Sequence, residues 1–416
     1  MATVTSMIEA VNGLPIHRVA IPGTRALTVL VAFDAGSRNE RPEENGMAHF
    51  LEHLVFKGGE AYPTHREINA TAERLGGVLN AYTSHDLVAF HITVRAESAA
   101  PAIDLLTDFV GRPRIDPEEL DRERGVVIQE INRAYDQPST VAEYLIDRAA
   151  FGEHPLGRTV LGPEENLRAF TREGIVAFRE RRWGGSGGGA FLVGNLEHLP
   201  SDEPLQERFG RFPTLAGPGP YVPAPDFAPD IIVDTRETNQ SHLRMIYRPA
   251  IAASSPSERA ALAIYSTLLG GSMGSRLFEE IREKRGLCYS VYAVSHVAAD
   301  VPVMQIGSGL ESPKTIEAYR RMREIVDELR EGPTEEEVER ARAYAAGRLV
   351  LAFENTGAVA RHGAQQAIVH HEDIDPDAAI AALDAVTFDE VSDIAAGVSE
   401  RLAVACVGPH TADEFA

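Results

Sequence analysis

Two stretches set 218 residues apart constrain this chain most: "DPEELDRER" from Asp116 and "TEEEVERAR" from Thr334. Aligned, they place Leu120 on Val338 and Arg122 on Arg340, and on the same register Glu130 falls on Arg348. Each reads as the start of a long helix that closes the same series of elements. The first series has a strand "ALTVLVAFDAGS", two helices, strands "VLNAYTS" and "LVAFHITVRA", and a helix "AAPAIDLLTDFVG". The second has "SHLRMIYRPA", two helices, strands "LCYSVYAV" and "VPVMQIGSGL", and a helix "TIEAYRRMREIVDELREG". Between them, residues 215–230, "LAGPGPYVPAPDFAPD", are too rich in Pro, Gly and Ala for a helix or a central strand and suit an extended linker. A duplicated α+β fold follows, divided as residues 1–214, the linker 215–230, and residues 231–416.

Charge narrows the function. The formal charge of −22 is opposed to phosphate binding, so nucleic acid is not an expected partner. Two cysteines, Cys288 and Cys406, imply no disulfide framework and a reducing compartment. The first residues lack a basic segment followed by an apolar one, and no stretch approaches a membrane span, so the expected location is cytoplasmic, away from membranes.

The chemistry gathers in "NGMAHFLEHLVFKGG", residues 45–59. As a helix with Asn45 at its N-cap and Gly58-Gly59 beyond its end, it puts Met47, Phe50, Leu51, Leu54 and Val55 in an apolar stripe about 140° wide. His49, Glu52 and His53 fall together on the opposite sector. A solvated polar face would look the same, but the spacing decides. Histidines at i and i+4 stack one turn apart and can aim two imidazoles at one ion, while the intervening glutamate lies beside the open coordination position, where a general base belongs. With this composition, His-x-x-Glu-His arises by chance on the order of a few hundredths of a time.

A third ligand is needed, and the helix from Asp116 and Pro117 offers candidates. Leu120, Val127 and Ile131 define its buried stripe. Glu123 and Glu130, seven residues apart, flank that stripe on one line, where carboxylates need a cation or donors.

This pattern resembles the pitrilysin/insulinase-type (inverzincin) zinc peptidases, in particular the subgroup similar to mitochondrial processing peptidase. Glu130 follows His53 with 76 residues between them, the subgroup's spacing, and "MAHFLEHLVFKG" and "LNAYTS" look like its signatures. The resemblance runs through nearly the whole chain and implies a LuxS/processing-peptidase-like fold of two tandem homologous α/β domains, each a mainly antiparallel sheet packed with helices. It implies one Zn2+ per chain on His49, His53 and Glu130, supported by Glu123, with Glu52 as general base. It implies that a peptide substrate adds as an extra strand beside Asn80 and Ala81, with Thr83 close by. Arg282 and Tyr289 match a pair that holds the substrate backbone and steadies the oxyanion. A homodimer enclosing a chamber is implied, with a heterodimer of related subunits as the alternative. Some relatives have lost the ligands and serve as structural or partner-binding subunits; the intact His49, Glu52, His53 and Glu130 argue against that here.

Some features depart from the resemblance. The glycine-rich "GGSGGG", residues 184–189, precedes a strand, so it is no phosphate loop and reads as a flexible connection. "HHEDID", residues 370–375, reads as a solvated loop. His65, His85, His91 and His154 belong to no motif and read as structural or surface histidines; His85 and His91 follow the edge-strand segment, with substrate contact as the alternative for that pair. Substrate identity and cleavage preference are not encoded in these spacings.

Overall fold

The computed structural model describes residues 3–214, 222–298 and 301–416. The chain forms two compact units. The first comprises Met1–Ile131, Thr159–Val222 and Leu351–Asp377; the second comprises Asn132–Arg158, Pro223–Val350 and Ala378–Ala416.

In the first unit, β1 (Val4–Glu9), β2 (Pro15–Ala20), β3 (Ala26–Phe33), β4 (Val78–Thr83), β5 (Val88–Arg95) and β6 (Gly188–Gly194) form a sheet in the order β1-β2-β6-β3-β5-β4. Only β2 and β6 run parallel. One face carries α1 (Met47–Val55), α2 (His65–Arg74), α3 (Ala99–Phe109) and much of α4 (Pro117–Tyr135). Val29, Val31, Phe33, Phe90 and Ile92 meet Phe50, Leu51, Leu54, Ile103 and Leu106 there. Complete burial of a side chain such as Phe50 contributes roughly 1.5–3 kcal/mol. On the other face Leu30, Ala32, Ala89 and Phe191 pack against Val359, Ala360 and Ala364 of the helix Thr356–Ala364. Covered on both faces, β3 is buried at every position after Ala26, as its apolar run, interrupted by Thr28 alone, requires.

The second unit repeats the plan. Strands β7 (Ile231–Thr235), β8 (Gln240–Tyr247), β9 (Cys288–Ala298), β10 (Val301–Glu311) and β11 (Ala403–Gly408) lie in the order β7-β11-β8-β10-β9, parallel only between β7 and β11. This matches β2-β6-β3-β5-β4 strand for strand. The helix α5 (Pro138–Phe151) packs Ile146, Ala149 and Ala150 on Ile246, Ala403 and Ala405. α4 and the helix Glu335–Phe353 each have 19 residues and are offset by 218 at both ends. The same offset relates α5 to the continuous helical run of residues 356–369.

The units therefore differ from a cut at the linker. α5 comes from the first half of the sequence but covers the sheet of the second unit, and residues 356–369 make the reverse exchange. Each buries an apolar side on a sheet that lies outside its own half of the sequence. Of the linker 215–230, residues 215–221 lie outside the described residues, and 222–230 hold neither helix nor strand. Among the described residues no helix is long and apolar enough to cross a membrane.

The glycine-rich segment is a correction. It is packed and feeds β6, which is buried at all seven positions. A Cβ on Gly184 would meet the Pro213 carbonyl oxygen at 1.9 Å, and one on Gly188 would meet the Phe33 ring at 2.6 Å. Close approach of backbone, not flexibility, selects glycine here.

Candidate metal centre

α1 begins at Met47, one residue later than an Asn45 cap would place it. Gly46 is the N-cap, at φ 98°, and offers no side chain. The buried carboxylate of Glu40 does the capping: Ala48 N–H donates to Oε1 at 2.6 Å, Gly46 N–H to Oε2 at 2.9 Å, and Asn45 Nδ2 to Oε2 at 3.1 Å. Its oxygens satisfy orphan donors of the helix N-terminus, and burial pushes this carboxyl up to about 8 against the opposing effect of those hydrogen bonds. All five stripe residues of α1 are 5% exposed or less, which fixes the rotation that turns the two histidines and Glu52 away from the core.

The histidines meet Glu130 from α4. His49 Nε2 lies 3.8 Å and His53 Nε2 3.5 Å from Glu130 Oε2. The imidazole centroids are 4.6 Å apart. Among the described residues this is the one cluster of three or more His, Cys, Asp or Glu side chains whose donor atoms all lie within 4.8 Å of one another. Donors about 2.1 Å from a tetrahedral zinc stand about 3.4 Å apart, so the spacing suits that ion after small adjustments.

The protonation state of His49 suits it too. Burial, with His53 adjacent, pushes the His49 imidazole down to about 3, so it is neutral and its lone pair is free. At His53, burial disfavours the charged ring, but the hydrogen bond and charge of Glu123, with Glu130 and Glu52, outweigh it and raise the pKa overall. His53 Nδ1 lies 2.9 Å from Glu123 Oε1, and a proton held there leaves the Nε2 lone pair free for a cation beside Glu130. Glu123 is buried; burial alone would raise its pKa, but His53 and an ion pair with Lys57 bring it below the usual range. Lys57 follows His53 by one helical turn and, with Glu40, is a supporting group that motif reading passed over. Glu123→Gln is expected to weaken zinc binding by about 10–100-fold without unfolding the chain, measured by competition with a chromophoric chelator.

Glu52 lies beside the cluster. Burial pushes its carboxyl above the usual range, and Glu130 adds to the shift; the Thr83 hydroxyl, donating to Oε2 at 2.6 Å, and the charge of His53 oppose it. Thr83 thus contacts the candidate base directly. It stands on β4, the free edge of the sheet. On that edge the Ala81 N–H is taken by the Asn80 side-chain oxygen at 2.9 Å.

Arg282 and Tyr289 stand together in the second unit. The guanidinium lies 5.3 Å from the Tyr289 ring centroid and 4.7 Å from that of Phe278, and Tyr289 is 82% exposed. At the place of Glu130 in the second copy stands Arg348, which cannot ligate a cation.

Residues 18–164 match the family described as insulinase (peptidase family M16), and residues 169–344 match the peptidase M16 inactive domain. An uncharacterized zinc protease of Streptomyces coelicolor is 30% identical over 407 residues, covering 96% of this chain and 88% of the relative. The uncharacterized zinc protease YmxG of Bacillus subtilis is 30% identical over 403 residues, covering 96% and 97%. A crystal structure of a peptidase M16 inactive domain from Pseudomonas fluorescens superposes with a TM-score of 0.87 at 18% identity over 98% of both chains. A protease from Helicobacter pylori superposes at 0.83 with 19% identity, over 98% of this chain and 100% of the other.

Proposed function

We propose, from the premise that this chain belongs to the insulinase family of peptidases (peptidase family M16), that it is a zinc-dependent endopeptidase acting on extended peptides. The observation that carries this reading is the convergence of His49, His53 and Glu130 with Glu52 beside them. Zinc held by those three side chains would supply a Lewis acid that polarises a peptide carbonyl and acidifies water. Glu52 accepts the proton of the attacking water and passes it to the leaving amine. Its raised pKa brings it nearer the operating pH, where both transfers are efficient. Thr83 aims the carboxylate, and the Glu123–Lys57 pair fixes the tautomer of His53.

The free edge of β4 would take the substrate as a further antiparallel strand, with the Ala81 N–H exchanging the Asn80 oxygen for a substrate carbonyl. Main-chain pairing of this kind demands extension more than sequence. The Arg282–Tyr289 pair would hold the substrate backbone, as the family resemblance implies, and two like chains forming a chamber would exclude folded proteins.

Quenched peptides of roughly 10–30 residues test the reading. The purified chain is expected to cleave them and to spare the same segments inside a folded protein. Arg282→Ala is expected to lower kcat/KM by about 10²–10³-fold. A chain that holds zinc yet cleaves nothing without a related subunit would replace the homodimer with a heterodimer.

A further inference from the structure

Thr83 defines which side of β4 faces the metal centre, because its hydroxyl reaches Glu52. Leu79 and Ala81, on the same side, pack against the core beneath α1. Asn80 and Tyr82 point the other way, toward the face on which the helix Thr356–Ala364 lies, and Tyr82 packs with that cluster. A peptide laid along β4 alternates in the same manner, so every second substrate residue turns toward this helix.

Arg361 is the charge that the helix presents there. Thr356, Val359, Ala360 and Ala364 face the sheet, and at 100° per residue Arg361 sits on the flank. It is exposed, and among the described residues its guanidinium has no hydrogen bond or ion pair. Its charge acts on Tyr82 of β4 and on His91, which pairs with Asn80 from β5.

The internal repeat shows how far a side chain at this position reaches. Its counterpart 218 residues earlier is Glu143 on α5. Glu143 spans three strands: it pairs with Arg244 of β8, accepts from Gln305 of β10 at 2.7 Å, and accepts from the Tyr292 hydroxyl of the edge strand β9 at 3.1 Å. Tyr292 pairs with Gly307, which pairs with Arg244; in the first unit Tyr82 pairs with Ala89, which pairs with Ala32. Tyr82 stands on the edge strand as Tyr292 does, and on this face β3 offers the apolar Leu30 and Ala32, neither of which can serve as the counter-ion that Arg244 is in the second unit. The first unit keeps a charge at this helix position, felt at Tyr82 of the edge strand, and omits the partner.

We infer that Arg361 is a specificity-determining residue that takes a carboxylate from the substrate. That carboxylate is an Asp or Glu side chain turned away from the metal centre, or the C-terminus of a peptide ending there. The inference rests on β4 being the peptide-binding edge.

Binding to the Glu52→Gln chain, which leaves peptides intact, tests it apart from catalysis. The probes are fluorescein-labelled extended peptides of one sequence, with Asp, Asn or Lys scanned through successive positions, each with a free or an amidated C-terminus. Asp is expected to bind roughly 5–20-fold tighter than Asn at alternate positions, more so at low salt. Arg361→Gln removes the difference, Arg361→Lys retains part of it, and Arg361→Glu turns the preference to Lys. If the preference instead follows the free C-terminus and is lost on amidation, the carboxylate is the terminal one. An Asp-to-Asn ratio in Arg361→Gln unchanged from that of the Arg361 chain, or no position at which Asp is favoured together with no loss on amidation, overturns the inference. Zinc content and cleavage by the parent chain report on the proposed function separately: a chain without either defeats that reading, while the binding ratios still decide Arg361.

Discussion

Glu52→Gln is expected to lower kcat by roughly 10²–10⁴-fold while the chain retains its zinc. The amide is nearly isosteric and can keep the Thr83 hydrogen bond, so the site's shape survives. It cannot accept the proton of an attacking water, so the chemistry does not. Elemental analysis and peptide turnover on one preparation separate the two effects. The pH dependence follows from the direction of the Glu52 shift. Its pKa lies above the ordinary carboxylate range and only the deprotonated form is a base, so activity is lost as pH falls through that raised value. Thr83→Val removes a hydrogen bond that favours the carboxylate, so the acid limb of kcat is expected to move to higher pH. A limb at the ordinary glutamate value, unmoved by Thr83→Val, would remove Glu52 from this role.

His49→Ala has the second large effect. The ring is buried and neutral, which suits a ligand, and no other imidazole of the cluster can replace it. Loss of stoichiometric zinc is expected. The consequence extends to stability, because an ion that binds only the folded chain adds about 4 kcal/mol when its concentration is 1,000 times Kd. The parent chain should therefore show a melting temperature that rises with zinc and falls with chelator, and His49→Ala should respond to neither. The variant must still melt cooperatively, because the α1 stripe beneath the ring is untouched.

Much of this was legible because it is local. The α1 stripe, the start of α4 at Pro117 and the i, i+4 histidines all follow from helical period and capping chemistry. The duplicated long helices were legible from nine residues each, and the structure returns the same 218-residue offset. What was missed depends on contacts distant in sequence. Glu40 caps α1 from outside the helix, so the usual Asn45 pattern misled. Exchange of α5 and its counterpart between units could not be read, since periodicity says that a side is apolar but not which sheet it will cover. The β1–β2 hairpin did leave a signal, Asn12-Gly13 with Gly13 at φ 82°, flanked by strands of mixed polarity that concealed it. The glycines of 184–189 looked like slack because their composition does not reveal Pro213 and Phe33 packed against them.

The central claim is that one zinc on His49, His53 and Glu130 makes this chain a peptidase. Titrating zinc into the chelator-stripped chain, while following cleavage of one quenched peptide, tests it most directly. The account predicts no cleavage at the start, a rise in proportion to added zinc, and a plateau at one ion per chain. Cleavage that persists in the stripped chain, or a plateau reached without any rise in activity, would contradict it.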